Sequence, residues 1–520
     1  MTWRRPHFCA TAKVGRAVYG QGAVRLVGGR SARSEGIGLL SLSASLLAIA
    51  AAALGQTLAE PAEVSRPSGS PLAPSAPAIE QLPEPTRDPL AIDPAADPVL
   101  GLARDSVAPP EFLGLIRQAV DRSPRIGETR AGIAEAEAAR GEARAGMFPS
   151  IETTVNAQRS IDRQFEDRGI NNIVERSRSE GRSDLLVSVN QPVYDFGATE
   201  ARIAAAGARL RAAAEEAEAA TDEVALRAIA AWYDVFAYRA LVTLSAAFGD
   251  GQVELREAIR TRIDQGVSAS GDLPRVESYI ASAAADLARY RRQLANAEAR
   301  FEEMFGVAPP ANIGRAPIVA GPTMSKEMAQ FLARSGPGVE GADALARAAR
   351  QEARAARAQT LPSLSAGIDA GKYGIVDADD YDIRGRLTVR HRLFGGVDAR
   401  ADQARARADA ADARASRVRS EAEREAAIAW SDVQALEQQL AALESSYIAS
   451  RQSRDVLAER FRVARGTLFD VLEAESGYFN VAATYIRAIT ELDASRYVLL
   501  SRTGRLLPTL DIAPPALEER

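Results

Sequence analysis

The chain has one cysteine, Cys9, in 520 residues, so it has no partner for a disulfide. It has two histidines, His7 and His391, too few for a histidine-based metal centre. Aromatic residues are only 6% of the chain. No intact phosphate-binding glycine loop or nucleophile motif is present, and no constellation of titratable groups suggests catalysis, so an enzyme is disfavoured and no cofactor is implied. What the sequence does have is alanine, arginine and glutamate in abundance, the composition of long helices or coiled coil.

The N-terminus has a distinct pattern. Seven basic side chains (Arg4, Arg5, Lys13, Arg16, Arg25, Arg30 and Arg33) precede an uncharged apolar run from Ile37 to Leu54 and small residues up to Ala59. That order predicts a secretory signal peptide over 1–59 with an extended basic region, and a mature chain beginning near Glu60. A retained anchor is the competing reading, but a run rich in Ala and Ser spans a bilayer poorly. Removing 1–59 leaves 57 basic against 68 acidic side chains, a net charge of −11 that argues against nucleic acid as a partner. It also removes Cys9, so no cysteine remains for lipid attachment. Residues 60–108 are rich in proline and lack apolar periodicity, which predicts a disordered leader.

Beyond the leader the chain repeats itself. Ser123-Pro124 matches Gly336-Pro337, and Phe148-Pro149-Ser150-Ile151 matches Leu361-Pro362-Ser363-Leu364, both at an offset of 213. After the next segments the offset becomes 198, and Phe196-Gly197 matches Phe394-Gly395. Trp232 then pairs with Trp430, Asp272 with Asp470, and Gly306 with Gly504. The change in offset falls mainly in one loop, 159–182 against 371–380, where copies are free to differ. Repeat 1 covers 109–306 and repeat 2 covers 337–506, with a linker at 307–336 and a tail at 507–520.

Each repeat holds two stretches of period two. Ile151, Thr153, Val155 and Ala157 share a face, as do Leu185, Val187 and Val189. In the second copy Leu364, Ala366, Ile368 and Ala370 do the same, and Ile383, Leu387 and Val389 oppose Arg384, Arg386 and Arg390. One apolar and one polar face over about ten residues suits a membrane strand with a wet interior; soluble hairpins half buried on helices are the alternative. The first such unit ends at Pro192 and Gly197, the second at Gly395 and Gly396. From Ala198 to Asp264 no proline interrupts a helix of 67 residues, roughly 100 Å long. Val224, Ala228, Ala231, Val235, Tyr238 and Val242 form a seam along it, repeated at Ala426, Ala429, Val433, Leu436 and Leu440, as in coiled coils or a long-helix bundle. The shorter flanking helices are expected at 111–147 and 272–305, stacked end to end beside the long one.

Four strands cannot close a membrane barrel, because open edges in lipid are prohibitive. Three chains give twelve strands, a number within the known range, while two would give a barrel too narrow for a conduit. The expected fold is mainly α: a duplicated helix-strand-strand-helix plan, with a trimeric twelve-strand barrel on a long helical tunnel.

These residues resemble the TolC-like outer-membrane efflux proteins across nearly all of 111–506. The resemblance rests on the duplicated plan, the junctions QPVYDFG and HRLFGG, and the coil turns GVSASGDLPRVES and ARGTLFDVLEAES. It implies a homotrimer in outer-membrane lipid above a periplasmic tunnel in a Gram-negative bacterium. Such trimers dock to a periplasmic adaptor and an inner-membrane ABC or RND transporter, and pass polypeptides or small molecules outward. The segment 459–506 resembles the type I protein secretion branch; multidrug efflux is the alternative, and a periplasmic coiled-coil adaptor or scaffold a second. The junction departs from the family at His391 and Arg392, where glutamine and proline are expected.

Asp470 and Glu473 stand three apart on one helix face, which by spacing alone reads as a solvated acid pair. The resemblance implies instead that they form the acidic ring of the periplasmic aperture, and that Arg465 and Asp272 hold the coils closed. The first copy offers Asp272 and Arg275 at the matching positions.

Overall fold

The computed structural model describes residues 93–162, 181–317, 324–375 and 380–515. The expected signal peptide, the leader up to residue 92 and the loop core 163–180 lie outside the described residues.

Repeat 1 contains α1 (Pro98–Gly101), α2 (Pro109–Arg122), α3 (Pro124–Ala145), β1 (Ser150–Arg159), β2 (Gly181–Tyr194), α4 (Ala198–Asp264) and α5 (Asp272–Phe305). The linker and repeat 2 contribute α6 (Lys326–Ala333), α7 (Pro337–Ala358), β3 (Ser363–Tyr373), β4 (Asp380–Arg390), α8 (Val397–Arg462), α9 (Leu468–Arg502) and α10 (Leu506–Leu510). The two copies agree in their long helices, 67 residues in α4 and 66 in α8. The helix α4 runs unbroken through Gly249 and Gly251. Both copies place the long helix after the strands, and α4 packs along α3, α5 and α7 while α8 packs along α6, α7 and α9. The predicted seam is buried from Val224 to Val235 and at Ala426, Ala429 and Val433; Tyr238, Val242, Leu436 and Leu440 are partly buried.

Three expectations need correction. The helix expected over 111–147 is two helices, because Pro124 forces Ser123 into an extended conformation (φ −65°, ψ 124°) and then opens α3 at its first turn. The leader is not disordered to residue 108: the described part, from Asp93, folds onto the helices. Asp97 caps α1 by accepting from the amides of Val99 (2.8 Å) and Leu100 (3.0 Å), and Val99 and Leu100 are buried against α4, α8 and α9. The tail places Leu507 and Leu510 in the core, and the linker carries α6, points on which the sequence patterns are silent. Finally, the strand does not end at Pro192. It runs to Tyr194 through a bulge between Pro192 and Tyr194, one of the few places in a sheet where proline is tolerated.

The four strands make one antiparallel sheet in the order β1-β2-β3-β4, so the two hairpins are joined through β2 and β3. Its outer strands, β1 and β4, each have one unpaired edge within the chain.

Candidate functional site

The register decides which side chains share a face, since paired residues in a sheet point the same way. Ile151 lies opposite Val189, which lies opposite Ile368; Thr153, Val187, Ala370 and Ile383 form a second row. Leu364 pairs with Val389 and Ala366 with Leu387. Most apolar residues of the four strands therefore fall on one surface, which Lys372 shares opposite Leu185, while Leu186 lies on the other. Several are open, with Ile151, Ile383, Leu387 and Val389 each about two-thirds exposed or more (67–71%). The opposite surface carries charge. Arg182 Nε donates to Asp184 (2.6 Å), Arg386 lies 3.5 Å from Asp369, and Arg384 pairs with Asp382.

Where strands meet helices, Phe148, Tyr194, Phe196 and Phe394 are exposed, and the Tyr194 and Phe196 rings meet edge-on at 4.7 Å. Aromatic side chains gathered at the end of an apolar band are what a membrane interface selects. The turn itself depends on left-handed backbone. Phe196 (φ 55°) and Gly197 (φ 81°) precede α4, while Gly395 (φ 96°) and Gly396 (φ 75°) precede α8. The helix of the second copy thus starts one residue later than the sequence match suggests. Only glycine adopts that conformation freely, so Phe196 carries the strain of the first copy. Asp195 restrains it by accepting from the Gly197 amide (3.1 Å) and from the Thr199 amide and hydroxyl (2.7 and 2.6 Å). Pro149 and Pro362 each lie immediately before a strand, just after the last turn of α3 and α7.

At the other end, α4 turns into α5 and α8 into α9. The helix α9 opens with a capping box: Thr467 accepts from the Asp470 amide (3.2 Å), and the Asp470 carboxylate accepts from the Thr467 amide (3.3 Å). The signature was legible as Thr467-x-x-Asp470. Asp470 is half-buried in this role, while Glu473 is exposed on the same helix face. Arg465 is exposed, and among the described residues no ion pair joins it to Asp272. Within one chain the coil tips are tied differently. Arg262 donates to the Phe461 carbonyl (2.9 Å) with its guanidinium 4.3 Å from the Phe461 ring, and Arg275 lies 5.6 Å from the Phe469 ring.

Midway along the helices the two repeat tryptophans have equivalent tasks. Trp232 is buried, meets Phe112 edge-on at 5.3 Å and donates to the Gly314 carbonyl (3.0 Å); Trp430 donates to the Met324 carbonyl (2.9 Å). Each clips one arm of the linker to its long helix. Arg315 follows the first clip, and its guanidinium meets the Asp493 carboxylate of α9 at 2.5 and 2.7 Å, both groups buried. Tyr233 adds a hydroxyl donor to Asp493 at 3.1 Å. Further down, Asp97 accepts from Tyr447 and Arg451 of α8, and Tyr447 shares a 2.8 Å hydrogen bond with Tyr478 of α9. Sequence patterns gave no sign of these long-range pairs.

Below that clasp Arg454 and Asp455 are both buried and paired, with Arg454 lying 4.4 Å from the Tyr478 ring. Burial raises the pKa of nearby Glu475 in α9; Arg454 lowers it and Asp455 raises it, and the net shift is upward. A carboxyl whose folded pKa exceeds its unfolded value stabilises the fold at low pH and loses that contribution as pH rises through the folded pKa. Glu475→Gln should therefore raise stability relative to wild type at pH 7, and the gain should vanish near the ordinary glutamate pKa of about 4. Thermal unfolding of both proteins across that range checks this; a difference independent of pH would refute it.

A family model for the outer membrane efflux protein matches residues 115–307 and 331–505. The chain belongs to the outer membrane efflux protein family. The outer membrane efflux protein BepC of Brucella suis is 24% identical over 330 residues, covering 62% of this chain and 72% of that protein. The protein CyaE of Bordetella pertussis is 25% identical over 456 residues, 82% of this chain and 93% of its own length. Among solved structures, the outer membrane protein VceC from Vibrio cholerae superposes with a TM-score of 0.66 at 20% identity, over 76% of this chain and 96% of that one.

For an outer-membrane efflux protein the two ends of the molecule acquire locations. The apolar sheet surface and its aromatic rim belong in the outer membrane, and the long helices extend into the periplasm. The fold shared with solved relatives is the duplicated helix-strand plan expected from the sequence.

Proposed function

We propose that three copies of this efflux protein join their sheets, β1 of one to β4 of the next, into a twelve-strand barrel that serves as the exit duct of a tripartite export machine. The observation that carries the reading is the sheet itself: one largely apolar surface, one charged surface, and two edges that lipid does not tolerate unpaired. The charged surface then lines the water-filled lumen. The helices continue the duct to a periplasmic end that meets an adaptor and an inner-membrane ABC or RND transporter. It is a passive conduit and catalyses no reaction.

Type I protein secretion is the class of export that the segment 459–506 supports. Small-molecule efflux is the second reading, for which the match to BepC speaks only as far as its name, an outer membrane efflux protein, goes. Deleting the gene and following both exported polypeptides and drug susceptibility separates them. Loss of a secreted polypeptide with unchanged susceptibility supports the first reading; the reverse supports the second.

The aperture belongs to the same proposal. Three copies bring six carboxylates, Asp470 and Glu473 of each chain, around one pore, with Arg465 and Asp272 of adjoining coils as closing contacts. Carboxylates within about a Debye length of 8 Å attract cations. Planar-bilayer recordings should show a cation-selective channel blocked by multivalent cations from the periplasmic side. Because Asp470 is also the N3 member of the capping box of α9, its alanine variant loses that hydrogen bond as well, about 0.5–1.5 kcal/mol. The exposed Glu473→Ala variant is the cleaner probe, and unchanged selectivity and block in Asp470→Ala/Glu473→Ala trimers would return the pair to a solvated surface role.

A further inference from the structure

A cavity of about 610 Å³ lies between α3, α4 and α7 near the strand-helix junctions. Five arginines line it, Arg140 from α3, Arg211 from α4, and Arg347, Arg350 and Arg354 from α7, and no carboxylate does. Arg350 pairs with Asp412 of α8. Among the described residues the other four form no ion pair within the chain, and Arg347 Nε is buried without a hydrogen-bond partner. Like charges held this close repel one another, so the arrangement favours an anion that they can share. The floor is made by small residues of α4, including Ala204 and Gly207. A Cβ placed on Gly207 would lie 4.0 Å from Arg140 Nε, so the missing side chain keeps the space beneath the guanidinium open.

Two further facts identify the anion's source. The first is depth. Arg354 stands four residues from the end of α7 and Arg140 five from the end of α3, roughly 6–8 Å below the junctions. Those two lie within a headgroup layer of roughly 5–8 Å beneath the hydrocarbon core, while Arg350 and Arg347, eight and eleven residues from the end of α7, stand roughly 12–17 Å down. The second is the side on which the cavity opens. Arg211, Glu218, Ala225 and Trp232 are seven apart and share one stripe of α4, and Trp232 is covered by α2 and the linker. In the duct proposed above, on which this inference rests, the linker stays outside the bore, which puts the cavity on the outer side. The opposite stripe, Arg202, Arg209, Glu216 and Glu223, is exposed and falls on the lumen side of the proposed duct.

We propose that this cavity binds the phosphate headgroup of an anionic phospholipid from the inner leaflet of the outer membrane. A basic pocket between helices at this level is suited to multiply charged headgroups, and its volume suits a whole headgroup rather than a lone phosphate. The bound lipid neutralises the arginines and fixes α3 against α7 just below the barrel.

The test uses delipidated, assembled protein in neutral detergent, titrated calorimetrically with short-chain phosphatidylglycerol, matching phosphatidylcholine and inorganic phosphate. Phosphatidylglycerol should bind saturably and more weakly as salt rises, with the other two about tenfold weaker or more. Arg140→Gln/Arg211→Gln/Arg354→Gln should lose about tenfold or more in affinity for phosphatidylglycerol. Gly207→Leu, which fills the floor without altering charge and suits a helix interior, should lose it too, so a folding failure of the triple variant does not leave the matter open. Inorganic phosphate binding as tightly as the lipid makes this a free-phosphate site and overturns the proposal. So does equal binding of phosphatidylcholine, wild-type affinity in both variants, or no uptake of any probe by the wild-type assembly, as when a neighbouring copy's carboxylates already fill the cavity.

Discussion

Asp493→Ala is expected to destabilise the protein by about 3–5 kcal/mol, the cost of leaving one member of a buried ion pair alone. Arg315 and Asp493 expose only 4% and 3% of their side chains, so solvent screens little of the loss. The substitution also removes the acceptor of the Tyr233 hydroxyl, whose pKa burial, together with Asp493, already pushes up. The pair joins the linker to α9 and, through the Arg315 backbone, to the N-terminal strand-like segment at Ser106 and Val107. Its loss should therefore loosen the mid-height belt before the barrel. Replacing both partners with apolar residues, Arg315→Met/Asp493→Leu, should recover most of the stability. Denaturant unfolding of the three variants decides it: a loss below about 1 kcal/mol in Asp493→Ala would mean that the guanidinium reaches water.

Val187→Arg should cost about 2–4 kcal/mol if Val187 sits at the bilayer midplane, and should reduce the amount of protein inserted in the outer membrane. Val187 lies midway along β2, paired with Thr153 on one side and Ala370 on the other, within the apolar surface. Ser188→Arg on the adjacent residue points to the charged surface and should be tolerated, since Glu152 and Asp369 are its pairing neighbours. Equal membrane content for Val187→Arg and wild type would mean that the hairpins are soluble.

Long, periodic elements were legible because their signal repeats many times over. The bounds of α4 and α5 came directly from the run without proline and the turn residues that follow it. The strand faces followed from alternation, and the pairing of β2 with β3 confirmed that both repeats present the same surface. What could not be read was carried by single residues acting across long separations. Asp97 meets Tyr447 at a separation of 350 residues, and Arg315 meets Asp493 at 178. A lone acid in a proline-rich stretch has no period, so the segment looked like leader although its apolar Val99-Leu100 pair is buried. At the turn between α8 and α9 the spacing put Asp470 and Glu473 on one helix face but hid the difference between them: the carboxylate of Asp470 is partly committed to its own helix cap, and Glu473 is exposed. The one-residue shift before α8 was equally hidden, since a glycine pair and a Phe-Gly pair solve the same left-handed turn.

In the proposed trimer the sheet edges of three chains close on one another in the outer membrane. Cys9, the only cysteine, falls in the expected signal peptide, which makes engineered cysteines clean reporters. A cysteine scanned along β1 against one fixed by Arg384→Cys on β4 can be oxidised in outer-membrane fractions and resolved by size, heated and unheated. Closure predicts links between different chains at one register only, species of two and three chains and none larger, and an unheated three-chain band that dissociates on heating without oxidation. Protein found outside the outer membrane, or a single-chain band with no link at any register, would contradict it.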